Sequence, residues 1–505
     1  MRRSSLVLTA TSLAAFTATL DNTVVAVALR DVQRDLGTGV TGLQGVVTAY
    51  TVALAALLLA GGALVDVVGA RRVLLAGLGG FALTSVLCAT APNDELLVAW
   101  RGLQGAAAAL LLPGALAVLA ATYPEPERRR RAVGTWAGLS ALALVAGPVL
   151  GGWLVEAFGW ESVFWVNVPL CLLVAGLLAG SPEVRPGHGR RLDPAGTVLV
   201  TLGLASATYA VVLAGRHGLT WPTATTAVAA VLAFSLLRAA EDAAPDPLVP
   251  RGLLRDRAAG GALLAGFAAS FAVFVLLVFL SLYLTLVQDR SAQETGNLLL
   301  ALPVAVVLTA PLAGRWRAVH APVVLGLVLT GVACLALGLV VTDSTSGGVL
   351  VAWLAVAGVG IGLTSVPVVA AVLAAAGPGR GGIGAGAVSV ARELGGVLAV
   401  GGLGAVAVAR LADRLQGTLS EVGLSGGTRE DALDALLGAR TDEVRSLLRA
   451  ALEDERASRA LEQLTQAATD SFVASTQLVL VTTAVVVLVA AVVSALLLRR
   501  APAPP

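Results

Sequence analysis

Long apolar blocks, each about as long as a bilayer is thick when helical, recur along this chain with short polar stretches between them. Fourteen can be marked, at about 6–29, 44–65, 73–91, 95–122, 133–157, 162–180, 194–215, 222–238, 258–287, 295–313, 321–342, 348–376, 382–408 and 473–498. Hydrocarbon offers no partners to backbone N–H and C=O groups, so such blocks must satisfy them internally as helices. The pattern therefore predicts an all-α polytopic membrane protein. One long polar segment, about 409–472, breaks the rhythm. There Thr428-Arg-Glu-Asp431 reads as a helix start, and leucines at 433, 436, 437, 447, 448 and 452 suggest amphipathic helices forming a self-packed surface hairpin outside the membrane, with a docking site or lid as the other reading.

Composition agrees with the pattern. Of 505 residues, 57% are hydrophobic and 13% charged, and the mean hydropathy is +0.86. A net charge of +2 gives no reason to expect a nucleic-acid partner. Cys88, Cys171 and Cys334 are scattered through apolar segments, and His188, His217 and His320 are isolated, so neither a disulfide framework, a metal site nor a cofactor is expected. Met1-Arg2-Arg3 ahead of an apolar run resembles a secretory signal, but the run is long and interrupted by Asp21, so an uncleaved first helix is expected.

All 34 basic residues are arginine, and their placement predicts orientation. With the long final loop set aside, twenty fall at the termini and on the loops of one side, among them Arg71, Arg72, Arg128 to Arg131, Arg315 and Arg317. The short loops of the other side hold four: Arg30, Arg34, Arg216 and Arg290. Arginine translocates poorly, so both termini are expected in the cytoplasm.

Charges inside the spans are the candidate chemistry. Asp21 lies well within the first span, where an ionised carboxylate costs about 2.5–3.5 kcal/mol and is expected to face a cavity or a partner. It reads as a proton site, with a merely structural ion pair as the alternative. Arg101 in the fourth span is its natural counter-ion. Arg392-Glu393 in the thirteenth span makes Glu393 a second candidate, and neighbours on a helix point about 100° apart, so each needs its own partner or water. Asn22, Thr23, Gln104 and Tyr283 are candidate substrate contacts.

Two glycine-rich stretches suggest moving parts. After the second span, Gly69, Arg71 and Arg72 follow Asp66, which can cap a helix or pair with the arginines as the molecule rocks; a static turn is the alternative. In the fifth span Gly134/Gly138 and Gly147/Gly151 each share a helix face and allow close approach of a neighbour, Gly152 extends the run, and Pro148 removes one helical hydrogen bond.

Taken in order, Leu20-Asp21-Asn22-Thr23-Val24-Val25, the Gly62 to Arg72 loop, Arg101-Gly-Leu-Gln-Gly105 and Gly147-Pro148-Val-Leu-Gly151-Gly152 resemble the motifs of the major facilitator superfamily. Fourteen spans, Trp160 to Pro169, and Leu192-Asp193-Pro-Ala-Gly196 resemble its drug:proton antiporter-2 branch. The resemblance implies two six-helix bundles with two additional central helices: residues 1–180, an insertion at 181–257 with its linkers, and 258–505 including the extracytoplasmic loop 409–472. It implies a proton-coupled antiporter, not an enzyme, that exports amphipathic or cationic drug-like molecules across a bacterial cytoplasmic membrane as a monomer. The alternative is a dedicated exporter of one metabolite, antibiotic or lipid. Its partners would be the small-molecule substrate, protons and the lipid bilayer, with Asp21 coupling protons, Arg101 supporting it, and Gly147, Pro148, Gly151 and Gly152 marking an antiporter. Val67 and Ala70 depart from the family, which often has arginine there, as do Ala26 and Arg30, where asparagine and proline are common, and Thr285, where glutamine is common. Pro311-Leu-Ala-Gly314-Arg315-Trp-Arg317 echoes the Gly62 to Arg72 loop in the later half without its acid. Gly377-Pro-Gly379-Arg-Gly-Gly382 matches a dinucleotide fingerprint by letter, but no strand precedes it, and the chain has no phosphate-cradling loop for ATP.

Overall fold

A computed structural model describes residues 2–498 apart from 180–191, 219, 244–246, 315, 317, 378, 422–425, 438–440 and 452–453. Arg315 and Arg317 of the echoed loop, and most of the linker 181–193, lie outside the described residues. The apolar blocks run as α1 (Arg2–Leu36), α2 (Val40–Val68), α3 (Ala70–Ala89), α4 (Asp94–Thr122), α5 (Pro126–Phe158) and α6 in two pieces (Ser162–Trp165 and Asn167–Leu178). They continue as α7 (Pro194–His217), α8 (Trp221–Ala243), α9 (Arg257–Leu286), α10 in two pieces (Ala292–Leu299 and Ala301–Ala313), α11 (His320–Val340) and α12 (Gly347–Ala376). The last two are α13 (Gly381–Val397, then a π-helical stretch Leu398–Leu403 and Gly404–Glu421) and α14 (Asp454–Leu498). Among the described residues thirteen helices are long and apolar enough to cross a bilayer, and Ser162–Leu178 is a shorter apolar helix between them.

Local chemistry sets several helix starts. Asn93 accepts from the Leu96 N–H ahead of α4, Asp193 from Gly196 ahead of α7, and Asp256 from Ala258 ahead of α9. Ser291 and Glu294 close a capping box at the start of α10. Gly69, at φ 110°, is the one-residue turn between α2 and α3, a conformation that side chains disfavour.

Small residues then bring the helices together. In the first half α2 and α3 pack on α4, and α1 packs on α5. Gly105 lies against the backbone of Tyr50, where a methyl group would collide with the Tyr50 carbonyl. In the second half Gly326 of α11 and Gly360 of α12 face each other's carbonyls in the same way. The two halves meet where α2 packs on α13 and α5 on α10.

The inserted pair α7 and α8 pack on each other, and α7 lies against α2. Val200, Leu204 and Leu237 of the pair share an apolar cluster with Leu59 and Ala63 of α2 and Ile383 of α13, so the insertion touches both halves. Trp221, Val231 and Leu232 of α8 remain exposed, as expected of a lipid-facing surface.

The polar segment differs from expectation at its edges. α13 continues to Glu421 and α14 begins at Asp454, so both helices project well beyond their apolar spans, and no residue that breaks a helix marks either membrane boundary. Between them lie helices Gly426–Leu437 and Thr441–Ala451. Leu419, Ala432, Val444, Leu448, Ala457 and Leu464 form a separate buried cluster, which makes the segment a self-packed cap.

Candidate functional site

Two sets of intramembrane charges occupy different places. The first is closed inside the N-terminal bundle. Asp21 of α1 pairs with Arg101 of α4 at 2.6 Å, and the side chains are 0% and 1% exposed, so no water competes for either. Arg101 donates to Asp21 Oδ2, while Oδ1 accepts from Gln104 at 3.1 Å and from Asn167 of α6 at 2.7 Å. Gln104 in turn accepts from Arg101 at 2.7 Å and donates to Ser85 of α3 at 2.8 Å. Arg101 also donates to the Val46 carbonyl at 3.2 Å, and its guanidinium stacks 4.2 Å from the centre of the Tyr50 ring. A buried ion pair is sustained only when its remaining donors and acceptors are also met, and here they nearly all are. The exception is Asn167 Oδ1, which is buried with no partner.

The second set lines a cavity of about 160 Å³ between the halves. Ala18, Thr19 and Asn22 of α1, Trp136 and Ser140 of α5, Phe274 of α9, Thr364 of α12, and Ser389, Arg392 and Glu393 of α13 are on its wall. Asp21 is not. One residue along a helix turns the side chain by about 100°, which sends Asn22 into the cavity and Asp21 into the bundle. Arg392 and Glu393 form no hydrogen bond or ion pair with the described residues.

The other candidate residues are spread along the helices. Gln104 belongs to the Asp21 network and not to the cavity wall. Tyr283 is buried at the end of α9, donating to the Thr342 carbonyl and accepting from Gln288, also away from the cavity. Thr23 bonds back to the Leu20 carbonyl at 3.0 Å and sits against Gly147, where an added Cβ would strike its hydroxyl. Gly151 meets Val24 in the same way, whereas a Cβ added at Gly152 would point into open space. Gly147 and Gly151 therefore seat α5 on α1, while Gly134 and Gly138 seat it on Ala310 and Val307 of α10 in the other half. Pro148 is exposed and lies within an unbroken α5.

One end of the cavity is latched. Asp66 Oδ1 accepts from the Gly382 N–H at 2.6 Å and Oδ2 from Ile383 at 2.9 Å, so a carboxylate of the first half caps the N-terminus of α13 in the second. Backbones touch beneath it, with Gly62 and Gly382 set against each other's carbonyls. At the same end Arg130 donates to the Gly314 carbonyl at 2.7 Å. Arg71 works within its own half, donating to the carbonyls of Leu178 and Ala179 at the end of α6 at 3.2 and 2.9 Å; Arg72 is exposed.

Asn167 and Ser85, which complete the Asp21 network, and Trp136 on the cavity wall carry no charge and so escaped sequence reasoning. A lone asparagine in the apolar Trp165-Val-Asn167-Val-Pro169 was the available signal, since a buried amide in a membrane needs a polar partner.

Among described residues no group of three or more His, Cys, Asp or Glu is placed to hold a metal. Comparison with known proteins bears on the whole arrangement. A family model described as Major Facilitator Superfamily matches residues 11–400. The chain is 31% identical over 422 residues to Multidrug resistance protein Stp of Mycobacterium tuberculosis, covering 82% of this chain and 78% of that one. It is 33% identical to the Methylenomycin A resistance protein of Streptomyces coelicolor over 77% of this chain and 82% of that one. In backbone it resembles a solved bacterial homologue of the human drug peptide transporters PepT1 and PepT2, with a TM-score of 0.52, 15% identity and 98% of each chain covered. With its helical bundles, its cavity between two halves and these relatives, the chain belongs to the Major Facilitator Superfamily of membrane transporters.

Proposed function

We propose that this protein is a proton-coupled antiporter of the fourteen-helix drug:proton antiporter-2 branch. It exports amphipathic or cationic small molecules across the cytoplasmic membrane of a bacterium, acting as a monomer with both termini in the cytoplasm. The observation that carries the proposal is Glu393: an unpartnered carboxylate on the wall of a cavity that is latched at one end by Asp66. A proton and a substrate can compete for such a group, and that competition is what couples opposite fluxes. One proton entering in exchange for a substrate without net charge moves one charge, and across 100 mV that supplies about 2.3 kcal/mol, enough for roughly a fifty-fold substrate gradient; a monocation exchanged for one proton moves no net charge and is driven by the pH difference.

In this scheme residues 1–180 and 258–505 rock about the cavity, with 181–257 bridging them. Asp66 holds the cytoplasmic end shut in the outward-facing part of the cycle, and Gly147 and Gly151 let α5 slide on α1. Asp21 and Arg101 are a second proton-linked pair. The unpartnered Asn167 oxygen supports that role, because a half-turn of its amide would let it accept from a protonated Asp21.

A relative named for methylenomycin A resistance favours a second reading, a dedicated exporter of one antibiotic or metabolite. Transport of a panel of unrelated dyes separates the two, since a narrow exporter ignores most of it. The coupling itself is tested in everted vesicles. Glu393→Gln is expected to lose proton-linked efflux, and exchange at the wild-type rate would overturn the assignment.

A further inference from the structure

Asp21 and Arg101 neutralise each other, and so leave no net charge for a ligand to meet. Arg392 and Glu393 do not. They are neighbours on α13, both line the same cavity, and neither bonds to the described protein. Adjacent helical positions diverge by about 100°, and here the two heads do not bond to each other, which presents them as separate poles. Trp136, on the facing wall, has an indole N–H buried without an acceptor. Three of the wall's hydroxyls are bonded to their own helices: Ser140 donates to the Trp136 carbonyl at 2.9 Å, Thr364 to Gly360 at 2.9 Å and Ser365 to Ile361 at 2.8 Å, whereas Asn22 and Ser389 are further neutral polar groups on the wall.

We infer that the cavity selects zwitterionic amphiphiles: molecules with an apolar body that carry an amine for Glu393 and an anionic group for Arg392. This rests on the export proposal above for taking the cavity as the substrate site, and narrows its substrate class. The argument is one of desolvation. A ligand that fills the cavity displaces the water that solvates both charges. A monocation compensates Glu393 and strips Arg392, and a monoanion does the reverse. Only a ligand with both charges compensates both, and a charged group left without a partner in a closing cavity is penalised heavily.

The test uses the purified full-length protein in lipid nanodiscs, without any gradient, and three probes with one aromatic body: naphthylalanine, naphthylethylamine and naphthylpropionate. Binding is measured by equilibrium dialysis. A charge-assisted hydrogen bond corresponds to about a ten- to hundred-fold difference in affinity, so the zwitterion is expected to bind at least ten-fold more tightly than either single-charge probe. Arg392→Gln should reduce naphthylalanine to the level of the amine, and Glu393→Gln should reduce it to the level of the acid. Equal or tighter binding of the amine or the acid to the wild-type protein overturns the inference, as does an Arg392→Gln protein that keeps the zwitterion preference. The wild-type comparison needs no variant to fold. Because no proton gradient is present, the outcomes separate. If wild type prefers the amine while Glu393→Gln vesicles lose coupling, the substrate class falls and the antiport proposal stands. If wild type prefers the zwitterion while Glu393→Gln vesicles exchange normally, the reverse holds.

Discussion

The same two residue types, an acid and an arginine, appear twice within the membrane and meet opposite fates. Asp21 and Arg101 come from different helices, touch at 2.6 Å, and are sealed with Gln104, Asn167 and Ser85 around them. Glu393 and Arg392 are adjacent on one helix, do not bond to each other, and are left to the cavity. Intramembrane charge alone therefore does not mark a transport site; what marks it is charge without a protein partner. The first pair holds α1, α4 and α6 together and meets no ligand directly, whatever proton it exchanges. The second keeps its electrostatics available to a ligand.

Perturbations can break or sharpen that contrast. The largest effect is expected from Arg101→Ala, which leaves Asp21 as a lone buried charge and should cost about 3–5 kcal/mol of stability, seen as a steep loss of folded protein in a thermal melt. Arg392→Ala should leave the melt within about 1 kcal/mol of wild type, since no hydrogen bond or ion pair is lost, yet impair transport. A comparable loss of stability in the two variants would erase the distinction between the pairs. Asp66→Ala removes two hydrogen bonds to a charged acceptor and should weaken the latch by about 1.5–3 kcal/mol. Cysteines placed at the latched end would then label faster. Gly147→Ala pushes a methyl into the Thr23 hydroxyl and should slow transport while costing about 1–3 kcal/mol; wild-type rates would show that α1 and α5 need not stay so close. The smallest effect is expected at Arg131, whose exposed pair with Glu127 at 2.5 Å should contribute under about 0.5 kcal/mol when removed by Arg131→Gln.

How much of this was legible in the sequence depended on the length scale of the signal. The spans were readable because each satisfies its own backbone, and Arg101 was readable as a candidate counter-ion because a buried acid in the first span needs a cation, but that the two side chains meet was not, since it depends on how α1 and α4 pack. Which of Asp21 and Asn22 faces the cavity was not readable, because it depends on helix rotation fixed by packing against α5. That Asp66 caps a helix was among the sequence's options, but its acceptance of backbone N–H groups 316 and 317 residues away carries no side-chain signal at the other end. That α13 and α14 stay helical beyond their apolar spans was not readable, because a helix that leaves the membrane changes only its outer surface, and nothing in residues 409–421 forces it to stop.

The central claim is that Glu393 is the group for which substrate and proton compete, and the most direct measurement is substrate-induced proton release by the purified protein in weakly buffered detergent solution. A transported dye should release protons from wild type and from Arg131→Gln, and at least several-fold fewer from Glu393→Gln. Proton release from Glu393→Gln equal to that of wild type would contradict the account.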